Sequence, residues 1–149
     1  MAKREFSAAV DVEATPEEAF DWVAEFRHVS DVLEGVTKWE PLGSKTRGVG
    51  ARYDVEMTAL GLPLSNVLRL DRWRRPNEIG WVSESGLIKQ EGEFRFTEVN
   101  KGALIELRIA YEPPAAVVGM FVAQRVDGMV RRRLELALRR IKEALETKS

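Results

Sequence analysis

Several residue types and motifs on which whole classes of protein depend are missing from this chain. It contains no cysteine, so disulfides, thiolate nucleophiles and cysteine-based zinc sites are excluded. Its one histidine, His28, stands alone, and neither the HExxH nor the calcium-loop spacing occurs, so we expect no metal and no cofactor. No apolar run approaches the roughly 20 residues that a membrane-spanning helix needs, and the first residues lack an apolar leader pattern. We therefore expect a cytoplasmic protein with no stable membrane insertion.

Charge and polar motifs give little support for nucleic-acid binding or for a known type of catalytic site. The net charge at pH 7 is −1, and the run Arg131-Arg132-Arg133 lacks the interleaved aromatic side chains that stack on exposed bases. We interpret that run as a solvated helix face and predict no nucleic-acid partner. His28 follows a predicted helix, where the helix dipole alone favours histidine. We therefore assign no catalytic residue, and no feature of the sequence indicates an oligomeric state.

The helical segments are marked by capping residues and by the spacing of their apolar positions. Residues 15–18 (TPEE) combine an N-cap threonine, a first-turn proline and a capping-box glutamate, which predicts a helix that ends near residue 27. A short second helix is predicted over residues 30–35. Over residues 113–149 apolar side chains recur every three or four positions, which predicts one long amphipathic helix.

Between these helices the apolar period changes to two, which is typical of half-buried strands. Short turns rich in glycine, proline and asparagine separate the strands and favour antiparallel pairing. The predicted strands span residues 5–12, 36–42, 51–60, 64–73, 79–85, 92–99 and 103–111. We therefore predict an α+β fold in which a curved seven-stranded antiparallel sheet wraps around the long C-terminal helix, with two short helices between strands 1 and 2. At 149 residues the chain is expected to form a single domain, 1–149.

A sheet bent around one helix encloses space that its own side chains do not readily fill, so we expect an apolar cavity between the two. Its predicted walls are the inward-facing strand residues and the apolar stripe of the last helix. The predicted ligand-binding residues are Tyr53, Val55, Met57, Leu68, Leu70, Trp81, Phe94, Phe96, Leu107, Ile109, Tyr111, Val118, Val122, Val126 and Met129. Tyr53, Tyr111, Ser83 and Asn66 are the polar side chains expected to face inward. A slip of one residue in any strand would turn its set outward.

Two glycines are unusual inside a predicted helix, since glycine costs roughly 1 kcal/mol there relative to alanine. For Gly128 two explanations stay open: a kink or close approach to the sheet, or a gap or hinge at the mouth of the cavity. For Gly119 we favour a frayed first turn or a break in the helix.

Four segments of the chain together carry a family pattern. They are residues 12–20 (VEATPEEAF), 22–24 (WVA), 91–96 (EGEFRF) and 107–113 (LRIAYEP). In their order and spacing the chain resembles the START-like superfamily, also called SRPBCC, whose members have the helix-grip fold. It is most similar to the polyketide cyclase/dehydrase and lipid-transport group, near the coenzyme Q-binding proteins. The resemblance implies a hydrophobic cavity between the sheet and the C-terminal helix, used in the family for lipids, quinones, polyketides or plant hormones.

These observations leave three hypotheses for function. The first is non-enzymatic binding or transport of a small hydrophobic molecule: a lipid, an isoprenoid quinone or a polyketide. The second is a polyketide cyclase or dehydratase in which Tyr53 or Tyr111 acts with a buried carboxylate; Glu56 and Glu106 are nearest in sequence but are expected to point outward. An inward ionisable pair or a buried Arg–Glu couple would favour this enzyme. The third is an interaction module with a filled interior and an exposed apolar patch.

Opposite faces of one strand provide a test of the predicted inner set. Leu107 is expected to face the cavity, so Leu107→Arg should abolish ligand binding or folding. Arg108 is expected to face solvent, so Arg108→Glu should do neither.

Overall fold

A computed structural model describes residues 4–59, 61–86, 89–112 and 120–147. The elements are, in chain order, β1 (Arg4–Val12), α1 (Pro16–Ala24), α2 (Phe26–Val32), β2 (Val36–Pro41), β3 (Arg52–Ala59), β4 (Leu62–Arg74), β5 (Glu78–Gly86), β6 (Lys89–Val99), β7 (Gly102–Glu112) and α3 (Met120–Glu146). The predicted order of one strand, two short helices, six strands and one long helix is confirmed.

The seven strands form one antiparallel sheet in the order β1-β7-β6-β5-β4-β3-β2. From β2 to β7 each strand pairs with the next one along the chain, and β1 then pairs with β7. The helices α1 and α2 therefore connect the two edge strands of the sheet. The α+β helix-grip fold, with a curved seven-stranded sheet and a long C-terminal helix, is confirmed.

The capping box at the start of α1 is confirmed, whereas the boundary between α1 and α2 differs from the prediction. The Thr15 hydroxyl accepts a hydrogen bond from the Glu18 backbone N–H at 3.1 Å, and the Glu18 carboxylate accepts one from the Thr15 N–H at 3.0 Å. Glu25 adopts an extended backbone conformation that ends α1. Its carboxylate accepts from the Arg27 N–H at 3.4 Å and so caps α2. Because this one side chain separates the helices, the second helix starts earlier than predicted.

The strand pairing shifts register at three places, one between β2 and β3 and two between β4 and β5, and two of these shifts change which residues face inward. In β2 the pairing with β3 shifts just after Val36, so that Val36 and Trp39 both reach the inner face despite their odd spacing. In β4 the pairing with β5 shifts just after Leu70, and both Leu70 and Trp73 face inward. The shift after Leu70 explains why residues 64–73 alternate poorly in sequence.

The long helix α3 is joined to β1 near both of its described ends. Near its start Asp127 pairs with Arg4, whose Nη2 lies 2.7 Å from Oδ2. Near its end the Lys142 ammonium donates to the Asp11 carbonyl at 2.9 Å. The predicted helical residues 113–119, which include Gly119, lie outside the described part of the chain.

The C-terminal half of α3 packs into a solid core, whereas the half nearer its start covers a cavity. The buried residues of the packed half are Leu134, Ala137, Leu138, Ile141 and Leu145. Full burial of one leucine or isoleucine contributes about 1.5–3 kcal/mol, so this half anchors the helix on the sheet. Val126, Met129 and Val130 remain only partly buried, because the space beneath them is not filled by protein.

Candidate functional site

A cavity of about 180 Å³ lies between the inner face of the sheet, α2 and the covering half of α3. An engineered apolar cavity of roughly 150 Å³ admits benzene, so this volume suits a small ligand or one segment of a longer one. Sites for drug-sized ligands typically measure about 300–1,000 Å³. A bulky ligand would therefore require the walls to move apart.

Most of the residues predicted to bind a ligand line this cavity. They are Tyr53, Met57, Leu68, Leu70, Trp81, Phe94, Leu107, Ile109, Tyr111, Val126 and Met129. The inner faces assigned by alternation therefore converge on one space, and α3 closes it. Their contact with a ligand remains a prediction.

Two of the other predicted ligand-binding residues, Val55 and Phe96, do not line the cavity. Val55 is completely buried and sits between Trp39 and Asn66 on the neighbouring strands, away from the cavity wall. Phe96 is covered by Phe20 of α1, with ring centroids 5.7 Å apart, and belongs to the solid core. Val118 lies outside the described residues, and Val122 is placed on α3 without a described side chain.

The predicted set of ligand-binding residues left out wall residues from both short helices, from β2, β4, β5 and β6, and from α3. The additional lining residues are Val23, Ala24, Phe26, Val29, Leu33, Glu34, Val36, Trp39, Leu64, Trp73, Ile79, Gln90, Val130, Arg133 and Leu134. The sequence spacing could have predicted Arg133, because it follows Met129 by four positions and Val130 by three and so lies on the same helix face. The neighbouring arginines made the whole run resemble a solvated face.

Aromatic rings form much of the cavity wall, and one glycine makes room for them. A Cβ on Gly92 would lie 2.6 Å from the Trp81 ring, so only glycine permits that ring to cross β6. The Trp81 and Phe94 ring centroids are 5.9 Å apart. On the other side of the cavity Trp39 stacks on Tyr53 at 5.5 Å. Such packing fixes the shape of the apolar surface offered to a ligand.

The Tyr111 hydroxyl belongs to a hydrogen-bonded chain that links β7, α3 and β1. It donates to Asp127 Oδ1 at 2.9 Å, and Arg4 donates to the same carboxylate. Burial and the Asp127 charge raise the pKa of Tyr111. For Asp127, burial acts to raise the pKa, but the hydrogen bonds from Arg4 and Tyr111 outweigh it and lower the pKa below its usual range. Tyr111 therefore stays protonated and Asp127 stays ionised at neutral pH.

The Tyr53 hydroxyl is also committed to a protein acceptor, because it donates to the Thr46 carbonyl. Burial raises the pKa of Tyr53 to about 12. A phenol with so high a pKa is a poor proton donor or base at neutral pH. A tyrosine oxygen that donates its proton can still accept a hydrogen bond, and the Tyr111 oxygen interacts in this way with Arg4.

The other two polar side chains expected to face inward do not line the cavity. The Ser83 hydroxyl accepts a hydrogen bond from the Gln90 backbone N–H at 3.0 Å. Asn66 is buried, 2% exposed, and neither its amide oxygen nor its amide nitrogen has a hydrogen-bond partner among the described residues. The polar residues that do reach the wall, besides the two tyrosines, are Gln90, Glu34 and Arg133.

Arg133 is a cationic side chain on an otherwise apolar wall. Its Nη2 donates to the Thr58 carbonyl at 2.7 Å, and its Nε is buried without an acceptor among the described residues. The guanidinium lies over Gly35, where a Cβ would come within 2.5 Å of Cζ. Glu34 also lines the cavity, but its carboxylate pairs with Arg132 at 2.8 Å. Burial lowers the pKa of Arg133 from its usual value.

A buried Arg–Glu cluster is present, but it lies on the opposite face of the sheet. The Glu93 carboxylate accepts hydrogen bonds from Arg108 at 2.8 Å twice and from Arg72 at 2.8 Å. Its neighbour Phe94 faces the cavity, so alternation points Glu93 away from it. The Arg108 hydrogen bonds hold the pKa of Glu93 at about 2 against the opposing effect of burial. This cluster therefore cannot act on a molecule in the cavity.

Two kinds of feature are absent from the described residues, a membrane-spanning helix and a metal-binding group of side chains. None of the helices in the described residues is both long enough and apolar enough to cross a membrane. Within the same residues, His, Asp and Glu side chains form no group of three or more that could hold a metal ion.

Comparison with known proteins gives a family and a fold. The model of a family described as polyketide cyclase/dehydrase and lipid transport matches residues 3–146. No curated protein sequence matches the chain. Among solved structures, the protein TTHA0849 from Thermus thermophilus has a TM-score of 0.84 at 20% identity and covers 98% of this chain and 99% of its own.

Two other solved structures share the architecture. The Zhui aromatase/cyclase from a Streptomyces species has a TM-score of 0.81 at 16% identity, with 97% of this chain and 94% of that chain covered. A START superfamily protein from Mycobacterium smegmatis has a TM-score of 0.73 at 20% identity, with 97% and 99% covered. The family match over residues 3–146 shows that the chain belongs to the polyketide cyclase/dehydrase and lipid-transport family.

Proposed function

We propose that the protein binds or transports a small hydrophobic molecule in the cavity between the sheet and α3 without changing it chemically. The observation that carries this proposal is the cavity wall itself, which is built from aliphatic and aromatic side chains with few polar groups. Removal of apolar area from water contributes about 25 cal/mol per Å², so a ligand that buries roughly 300 Å² would gain on the order of 7 kcal/mol before the cost of association. Since 7 kcal/mol corresponds to a Kd of about 10 μM, such a ligand would bind no more tightly than that once the cost of association is included.

The state of the polar groups supports binding over catalysis. Tyr53 and Tyr111 both donate to protein acceptors, and both have raised pKa values. Neither is suited to transfer a proton at neutral pH. The buried Glu93 cluster faces away from the cavity, so it supplies no acid or base there.

A polyketide cyclase or dehydratase that uses the same cavity is the alternative. The observation that favours it is that Glu34 and Arg133, both ionisable, line the wall. The interaction-module hypothesis is weaker, since the interior holds a cavity. In the described residues, the exposed large hydrophobic side chains are Leu42 and Val49.

A cavity-filling variant tests the proposal. Ile109 lines the cavity from β7, and Ile109→Trp adds an aromatic ring to that space. Glu106 lies on the same strand, is exposed and faces outward, so Glu106→Trp adds the same ring outside the cavity. Binding of apolar probes such as naphthalene or decanol would be measured by calorimetry for both variants and the parent protein.

We expect Ile109→Trp to weaken binding at least tenfold and Glu106→Trp to leave it unchanged. Equal binding by all three proteins would place the ligand elsewhere and contradict the proposal. A probe with the β-ketone pattern of a polyketide would be recovered and analysed after incubation, and its cyclisation or dehydration would establish the enzyme instead.

A further inference from the structure

The cation on the cavity wall forms no ion pair with the described part of the protein, although the charge of Glu34 attracts it. Among the described residues that line the cavity, Arg133 is the one basic side chain, and no described carboxylate lies within 4 Å of its guanidinium. Other partly buried arginines of the protein do have a carboxylate partner. Arg72 and Arg108 reach the Glu93 carboxylate, and Arg4 reaches Asp127.

Glu34, the acidic residue beside Arg133 on the cavity wall, already pairs with another arginine. Glu34 lines the same wall, yet both of its carboxylate oxygens are bonded by Arg132, Oε1 at 2.8 Å and Oε2 at 3.3 Å. Among the described residues, the one hydrogen-bond acceptor of Arg133 is the neutral Thr58 carbonyl. A partly desolvated guanidinium remains charged at any physiological pH, so it gains from an anion placed beside it.

The unpaired polar atoms of this wall are donors. The Arg133 Nε and the Trp39 Nε1 are both buried, and neither has an acceptor among the described residues. Both residues line the cavity. Donors without acceptors on a ligand-sized cavity favour an oxygen-bearing group on the ligand, since a buried donor left unsatisfied costs about 1–3 kcal/mol.

The position of Arg133 suits a group at one end of an elongated ligand. Its guanidinium lies over Gly35 and bonds Thr58, at the junction of α2 and β2 with the end of β3. Apolar side chains of the same helix, Met129 and Val130, continue the wall one turn away. An apolar body and a single anionic end would match this distribution of charge.

We propose that Arg133 binds a carboxylate on the ligand, so that the molecule held in the cavity is a small amphiphilic acid. This inference rests on the proposed binding function and specifies the class of its ligand. Neutral hydrocarbons, alcohols and quinones would then enter the cavity more weakly than an acid with the same apolar body. The planar fork of the guanidinium also matches the two oxygens of a carboxylate.

The test compares decanoate with decanol at pH 8 by calorimetry, and adds decyl phosphate to distinguish the type of anion. The proteins are the parent chain, Arg133→Gln, Arg133→Lys and the control Arg139→Gln. Arg139 lies exposed on α3 outside the cavity, so its variant removes one positive charge from the same helix without touching the wall. Thermal unfolding of each variant checks that it folds.

We expect the parent chain and Arg139→Gln to bind decanoate about 10- to 100-fold more tightly than decanol, the range for a charge-assisted hydrogen bond. Arg133→Gln should lose this preference while it keeps the affinity for decanol, and Arg133→Lys should retain part of it. Equal binding of decanoate and decanol by the parent chain would overturn the carboxylate anchor and leave the apolar binding function standing. Tighter binding of decyl phosphate than of decanoate would also overturn the assignment to a carboxylate. Failure of both decanol and decanoate to bind would instead contradict the proposed function itself.

Discussion

Replacement of Glu93 by glutamine should destabilise the fold strongly at neutral pH and much less in acid. The Glu93 side chain is 7% exposed and pairs with Arg108 and Arg72, each 27% exposed. Its pKa is held at about 2, against an ordinary value of 4.5. At 1.36 kcal/mol per pKa unit, this difference corresponds to about 3 kcal/mol of stability. The cost of breaking a buried ion pair, roughly 3–5 kcal/mol, is of the same size.

The sign of the pH dependence follows from the lowered pKa. Because the folded-state pKa of Glu93 lies below the unfolded value, its contribution is complete above about pH 4.5. This contribution falls as the pH drops towards about 2, because in this range Glu93 is protonated in the unfolded chain but still ionised in the folded protein. At pH 3 Glu93 should still contribute about 1 kcal/mol to the free energy of unfolding. The deficit of Glu93→Gln relative to the parent chain should therefore shrink from about 3 to about 1 kcal/mol between pH 7 and pH 3.

Urea unfolding at the two pH values measures these free energies. Glu106→Gln makes the same chemical change on the exposed outer face of β7 and should stay within about 0.5 kcal/mol of the parent chain at both. A deficit for Glu93→Gln that is below 1 kcal/mol at pH 7, or that does not depend on pH, would refute the argument.

Further predictions concern the two faces of β7 and the glycine of α3. Leu107→Arg should abolish folding or ligand binding, because Leu107 is 2% exposed and lines the cavity; normal binding in a titration would contradict this. Arg108→Glu should now lower the free energy of unfolding by at least about 3 kcal/mol in urea, since it places a second carboxylate beside Glu93, and an unchanged midpoint would contradict it. Gly128→Ala should raise stability by up to about 1 kcal/mol with binding unchanged, because a Cβ there meets nothing within 4 Å. Weaker binding in that variant would instead indicate a hinge.

From the sequence Arg108→Glu was expected to be harmless, whereas the structure predicts a loss of stability because Arg108 pairs with the buried Glu93. Alternation placed Arg108 on the outer face of β7, as the structure has it, and an outer face was equated with free solvent. A chain of salt bridges crosses that face: Glu5 pairs with Arg108, and Arg108 and Arg72 both pair with Glu93. The arginines on either side bury the Glu93 carboxylate. Alternation along one strand reports a face of the sheet, whereas burial on that face depends on the side chains of several strands.

Helix and strand positions were predicted well where the sequence carried one clear pattern, such as a capping box or an alternation of apolar residues. The Thr15–Glu18 capping box marked the start of α1, and the period of two located all strands of the sheet. The start of α2 was missed because Glu25, which ends one helix and caps the next, carries no distinctive pattern on its own. The close approach considered for Gly128 is absent among the described residues, since the space around it is open.

The cavity was predictable in outline but not in its polar detail. Inner-face alternation found residues such as Leu107 and Tyr111, while the bulges that bring in Trp39 and Trp73 shift the strand pairing and have no sequence marker here. Arg133 was not predicted as a wall residue because it belongs to the run Arg131-Arg132-Arg133, which was interpreted as a solvated face. Its spacing from Met129 gave the helix face, but only the packing of Gly35 and Thr58 around it shows that its charge is held at the wall.

The most direct test of the binding function is mass spectrometry of an organic extract from the natively purified protein, with a denatured and washed sample as the control. We expect a stoichiometric small hydrophobic molecule in the native extract that is absent from the control, and we expect this molecule to carry a carboxylate. A protein that yields no such molecule, and that also fails to bind a panel of lipids, quinones and polyketides, would contradict the account.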